Sequence, residues 1–181
     1  MTVATMTRDL QDPLTVLRNA IAMELDGKDF FERASKAMKH ARAKEMFASL
    51  IRQEQKHVEI ISEELRRLGA GAGWAPLAEM RSSAPRMPQS SVFRDRHVSR
   101  LRLKEGVGEL EVLQVGINVE KRSIDFYRRA ALRASDPRAR EVFDWLVGQE
   151  AGHLTILSAE YDNRSGSGFY YDEAEFSLEV Q

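Results

Sequence analysis

The sequence predicts an all-α protein, a four-helix bundle built from two repeated helical hairpins with a long crossover between helices two and three. Three observations carry this. Four long stretches place apolar residues at three- and four-residue steps, the period of an amphipathic helix. A segment of the first half falls on the second, without gaps, at a shift of 96 positions. No stretch of any length alternates as a β-strand does.

The first helix opens at Asp12-Pro13, a capping residue followed by proline at the first helical position. Its stripe reads Leu14, Leu17, Ile21, Glu24 and Phe31. The second runs from about Arg42 to Leu68 and stops at Gly69, a natural helix terminator. Phe47, Leu50, Ile51, Val58, Ile61 and Leu65 form its apolar face, and Glu54 and His57 occupy steps of that same face. The stretch "GAGAGWAPLAEMRSSAPRMPQSS" follows, rich in Gly, Pro and Ser, and predicts little regular structure before Val92. A third helix carries Leu110, Ile117, Glu120, Ile124 and Tyr127. The fourth starts at Asp136-Pro137, cap then proline again, and carries Phe143, Leu146, Val147, Glu150, His153, Leu154 and Leu157. The bundle is therefore expected over residues 1–164, with its crossover at about 70–104, and a C-terminal tail over 165–181. Four tail aromatics, Phe169, Tyr170, Tyr171 and Phe176, are expected to pack on protein surface in a homodimer.

Composition narrows the function classes. A chain of 181 residues suffices for one domain with a real core, and 43% hydrophobic with 30% charged residues is the balance of a soluble globular protein. A formal charge of −1 argues against a nucleic-acid partner. The absence of cysteine excludes disulfides, iron–sulfur clusters, thiolate zinc sites and thiol nucleophiles. No apolar run approaches the roughly 18 residues of a membrane span, so no membrane partner is expected. The opening "MTVATMTRDLQD" lacks the apolar core of a signal peptide, and a cytoplasmic location is the expectation.

The repeat organises the polar residues of the stripes. Glu24 matches Glu120, and Gln53, Glu54 and His57 match Gln149, Glu150 and His153. Each half is thus a hairpin with one Glu on its first helix and Glu-x-x-His on its second. In an antiparallel hairpin, residues equally far from the turn stand at equal height. Glu24 and Glu54 are centred on Lys39, and Glu120 and Glu150 on the equivalent Ser135. Residues three apart share a helix face, so each Glu and His of a pair point the same way. Two such hairpins, related by a pseudo-twofold axis, bring four carboxylates and two imidazoles into one interior. An unpaired buried carboxylate is costly. Two divalent first-row cations balance four carboxylates without excess, and carboxylate plus imidazole suits iron or manganese. A bundle whose Glu and His pair with Arg or Lys would be the simpler alternative, yet neither basic residue repeats at the level of Glu24.

These residues, with the neighbourhoods "MELDGKDFFERA" and "VEKRSIDFYRRA", resemble the ferritin-like superfamily, and most closely the rubrerythrin-type di-iron domain, over roughly residues 14–163. The resemblance implies a four-helix bundle with a carboxylate-bridged pair of iron ions, manganese or zinc being further metals these donors accept. Glu54 and Glu150 would bridge, Glu24 and Glu120 would bind terminally, and His57 and His153 would each cap one metal. It also implies a di-iron oxidoreductase of ferroxidase or peroxidase type, oxidising Fe(II) or reducing peroxide or dioxygen, with electrons from Fe(II) or an external donor. A manganese catalase-like enzyme and an iron-storage protein without turnover are the other readings. The chain departs from the family pattern in having no cysteine for a rubredoxin-type iron. Ser123, with Gly27 in the other half, also stands where many members carry an additional Glu.

One aromatic breaks the repeat. Tyr127 falls on Phe31, and its spacing of seven residues from Glu120 places it on the interior face. The resemblance implies a tyrosine there that donates to a ligand carboxylate, a catalytic role; a core tyrosine bonded to a backbone carbonyl is the competing role. Met23, Met38 and Met46 read as core, His40 and His97 as solvent-facing, and the repeated Asp29/Asp125 and Arg33/Arg129 as structural ion pairs. The basic run "RDRHVSRLRLK" reads as a solvated face.

Overall fold

Asp12 begins the architecture, accepting hydrogen bonds from the backbone N–H groups of Leu14 (3.3 Å) and Thr15 (3.0 Å) and so satisfying donors that a helix start leaves free. The computed structural model describes residues 12–82 and 108–166. Helix α1 spans Pro13–Ala37, α2 Ala41–Gly69, α3 Leu77–Ser82, α4 Glu109–Arg133 and α5 Pro137–Ser165. Asp136 caps α5 as Asp12 caps α1, through the N–H of Arg138 at 2.8 Å. Among the described residues there is no strand, and no helix is long and apolar enough to cross a membrane. The tail aromatics, His97 and the basic run lie outside the described residues.

Helix α1 packs along α2 and α4 along α5, and the two hairpins meet through α1 with α4 and α2 with α5. The apolar interior forms two clusters. One contains Leu17, Ile21, Val58, Ile61, Tyr127, Phe143 and Leu146; the other contains Phe30, Phe31, Phe47, Leu50, Leu113, Ile117 and Leu157. On every long helix the stripe acid falls between a member of one cluster and a member of the other: Ile21 and Phe30 flank Glu24, and Leu146 and Leu157 flank Glu150. The polar groups therefore form a layer across the middle of the bundle. Each fully buried Leu, Ile or Phe contributes about 1.5–3 kcal/mol, and these two clusters offset the desolvation of that layer.

Helix α2 ends at Gly69 as expected, and the left-handed residue that turns the chain away is Gly71, at φ 74°. Two expectations need correction. Leu110 is 38% exposed because it lies in the first turn of α4, where Val112 and Leu113 take the core positions instead. The crossover begins with more structure than its Gly and Pro content suggested, since α3 lies within it. Trp74, Ala75 and Met80 are buried there, and burial of these apolar side chains draws the segment onto the bundle. Buried Glu64 accepts from the Ala75 N–H at 3.1 Å, and Arg138 donates to the Trp74 carbonyl at 3.1 Å. At the other end of the bundle, Glu109 accepts from the Lys39 N–H at 2.5 Å and pairs with Arg164, joining the hairpins.

The small structural expectations hold. Asp29–Arg33 and Asp125–Arg129 are ion pairs at 2.7 Å each, His40 is exposed, and Met38 is buried with Met23 and Met46 packed against the core.

Candidate metal centre

Glu24, Glu54, His57, Glu120, Glu150 and His153 are all buried, none more than 2% exposed. Helix α1 supplies Glu24, α2 supplies Glu54 and His57, α4 supplies Glu120, and α5 supplies Glu150 and His153. Two sets of four converge. Glu24, Glu54, His57 and Glu150 each offer a donor atom within 4.8 Å of the others, and so do Glu54, Glu120, Glu150 and His153. Glu54 and Glu150 belong to both sets.

Around His57, Nδ1 lies 3.2 Å from Glu24 Oε2, 3.2 Å from Glu150 Oε1 and 3.6 Å from Glu54 Oε2. Around His153, Nδ1 lies 2.9 Å from Glu54 Oε1, 3.6 Å from Glu120 Oε1 and 3.7 Å from Glu150 Oε2. The imidazoles lie nearly parallel, 5.5 Å apart. Among these contacts only that of His57 Nδ1 with Glu24 Oε2 is a hydrogen bond. Both nitrogens of His153, both carboxylate oxygens of Glu120 and Oε1 of Glu150 are buried without a hydrogen-bond partner. Donor atoms that approach one another without bonding, and aim at a shared point, are what a cation site requires and what a pairwise polar network avoids. The residues fit two divalent cations in oxygen and nitrogen coordination.

Charge regulation in the metal-free layer has a clear pattern. Burial, with the charges of Glu150 and Glu54, raises the Glu24 carboxyl well above the ordinary value, and burial raises Glu120 likewise. Burial would raise Glu54 too, but Glu24 and the imidazoles of His153 and His57 close around it outweigh burial and lower that carboxyl. Glu150 is lowered against its burial by His153 and His57. Burial works against imidazolium at both histidines. The surrounding carboxylates win, raising His57 well above its usual range and pushing His153 up to about 12.

The Tyr127 hydroxyl donates to Glu24 Oε1. This supports the carboxylate-donor role over a backbone bond, and the acceptor comes from the other half of the repeat rather than from the nearer-in-sequence Glu120. Trp145 was not singled out by spacing. Its ring meets His57 edge-on with centroids 5.9 Å apart. A signal did exist: the repeat sets Trp145 against Ser49, a break as large as Tyr127 against Phe31.

The rubrerythrin family model matches residues 15–161. The chain belongs to the rubrerythrin family. No curated protein and no solved structure matches it. The chain, matched over these residues, has no cysteine to supply thiolates for a rubredoxin-type iron. Position 123, where the resemblance allowed an additional carboxylate, holds buried Ser123, whose hydroxyl turns back to the Val119 carbonyl at 3.4 Å.

Proposed function

We propose that this protein is a non-haem di-iron oxidoreductase that oxidises Fe(II), reduces peroxide or dioxygen, or couples the two, in iron or oxidative-stress handling. The sharing of Glu54 and Glu150 between both four-residue sets carries this reading, because carboxylates common to both sets would serve both ions of a pair and hold them in one layer. Glu24 and Glu120 would bind terminally, and His57 and His153 would each cap one metal through Nδ1. When bound, the two iron ions supply the one-electron changes. The chain's own part is to keep the layer dry between two apolar clusters, to hold Glu24 through the Tyr127 hydroxyl, and to surrender the protons that occupy the layer without metal.

Electrons would come from Fe(II) itself or from an external donor, and the working assembly would be a homodimer in the cytoplasm. Manganese or zinc satisfies the same donors, so the metal must be measured. Elemental analysis of protein purified without oxygen should find iron near two equivalents, and mixing with dioxygen or peroxide should develop ferric absorbance. Glu54→Ala combined with Glu150→Ala should lose both. Undiminished metal binding in that double variant sinks the assignment.

A further inference from the structure

The internal repeat continues past the ends of the helices. At the same shift of 96 positions, "WAPLAEM", which ends at Met80, falls on "YYDEAEF", which ends at Phe176. Ala78 and Glu79 match Ala174 and Glu175, while Trp74 and Met80 meet Tyr170 and Phe176. A left-handed glycine turns the chain after each helix, Gly71 at φ 74° after α2 and Gly166 at φ 68° after α5. In the first copy the segment is packed on the bundle. Trp74, Ala75 and Met80 are buried, Pro76, Ala78 and Glu79 are exposed, and α3 meets both α2 and α5. Ile60 of α2 shares their apolar cluster and is 1% exposed. The second copy places Tyr170, Tyr171 and Phe176 at the three buried positions. Its acids Asp172 and Glu175 fall on exposed positions, and Glu173 falls on half-buried Leu77.

A matching surface lies on the C-terminal half of α5. Ile156, the repeat equivalent of Ile60, is 42% exposed. Around it Thr155, Ala159 and Asn163 are exposed, where α2 carries Glu59, Glu63 and Arg67, so cover over these positions desolvates no charge. We infer that residues 170–176 strap back across α5 toward α2 and cover Ile156, as the start of the crossover covers Ile60. Tyr170 takes the place of Trp74, and Phe176 that of Met80. The occupant is the chain's own tail rather than that of a second copy, because the same length of chain after α2 brings Trp74 and Met80 to their seats. One contact differs. Glu79 pairs with Arg67 at 3.0 Å, whereas Glu175 meets uncharged Asn163, so the tail is held by apolar burial more than by charge.

The chain has no cysteine, so a single introduced thiol reports cover directly. Ile156→Cys and, as reference, Leu132→Cys are each made in the full-length protein and timed with a thiol reagent. Leu132 is 85% exposed against 42% for Ile156, and access alone therefore allows rates about twofold apart. The strap should slow Ile156→Cys by about 10-fold or more relative to Leu132→Cys, equally at every protein concentration. Tyr170→Ser combined with Phe176→Ser should restore the fast rate. Should Ile156→Cys fail to fold, the parent chain still decides: the Ile156 methyl groups should show nuclear Overhauser contacts to the ring protons of Phe176 or Tyr170. Rates within about twofold of each other, or the absence of those contacts, overturn the inference. So does protection that survives Tyr170→Ser with Phe176→Ser, which assigns the cover to another segment. Protection that disappears on dilution overturns it too, because the cover then comes from a second copy.

Discussion

The hydroxyl of Tyr127, on α4, donates to the carboxylate of Glu24, on α1, so that one half of the repeat orients an acid of the other. Both residues are buried, Tyr127 completely. Burial, with the neighbouring Glu24 and Glu150 carboxylates, raises the phenol well above its usual range, so the proton stays on the tyrosine oxygen. Tyr127→Phe removes the oxygen and leaves the ring packed against Phe126 and Phe143. The expected outcome is unchanged far-UV circular dichroism with Fe(II) oxidation slowed by about 10-fold or more, the scale on which partners of ligand residues act. Oxidation kinetics and metal affinity identical to those of the parent would return Tyr127 to the role of core filler.

Glu64 makes a second prediction, away from the metal layer. Its side chain is fully buried, accepts from the Ala75 N–H, and stands 3.9 Å from the Arg67 guanidinium. Burial raises this carboxyl, so the charge is held at a cost that the Ala75 bond and Arg67 only partly offset. Glu64→Ala leaves a buried N–H unpaired and should destabilise by about 1–3 kcal/mol in denaturant titration. Glu64→Gln keeps an acceptor for Ala75 and should cost much less. Equal losses in the two variants would mean that volume, not the hydrogen bond, holds the start of the crossover.

Helix α5 offers a third. Gly148 and Gly152 are exposed positions inside it, where α2 carries Arg52 and Lys56, and nothing lies within 4 Å of the Cβ that either would gain. No packing demands a glycine there. Gly148→Ala and Gly152→Ala should each stabilise the metal-free protein by about 0.5–1 kcal/mol, the usual penalty of glycine in a helix interior. A loss of stability in either would reveal a close neighbour on this face in solution.

The parts that could be read from the sequence are those written along a single helix. Asp12 and Asp136 announce two starts because capping is local, and Glu54/His57 with Glu150/His153 announce the layer because a three-residue step fixes a shared face. What could not be read depends on how helices rotate against each other. Spacing put Tyr127 on the interior, yet the choice of Glu24 as its acceptor is settled by the approach of α1 to α4. The contact of Trp145 with His57 likewise joins α5 to α2. Glu64 and Glu160 are repeat equivalents with opposite fates: one is buried under the crossover, and the other pairs with Arg164 at 2.5 Å. The crossover exists once, so the repeat could not announce the difference.

Removal of metal supplies the last prediction, and its sign follows from the direction of each shift. Without cations, Glu24 and Glu120 keep protons in the folded protein above the ordinary carboxyl value of 4.5, while the unfolded chain has released them. Folding then takes up protons, and stability falls as pH rises above 4.5. His57 and His153 act in the same direction from their ordinary value of 6.5 upward: their contribution is complete below 6.5 and is lost as pH climbs toward their raised values. Glu54 and Glu150 are lowered, so their contribution is present above 4.5 and is lost only on acidification. Between pH 5 and 8 the metal-free protein should therefore lose stability, by about 1.4 kcal/mol per pH unit for each group still protonated only when folded. The same protonation pattern makes the layer neutral without metal, two imidazolium charges against two carboxylates. Loading two divalent cations onto four carboxylates and two neutral imidazoles is neutral as well, so about four protons should be released to solvent per pair bound near pH 6. Urea titrations of chelator-treated protein at several pH values, with calorimetry in buffers of different ionisation enthalpy, measure both quantities. Stability that climbs steadily from pH 5 to 8, or metal uptake without proton release, would show that these six groups do not share one buried charge layer.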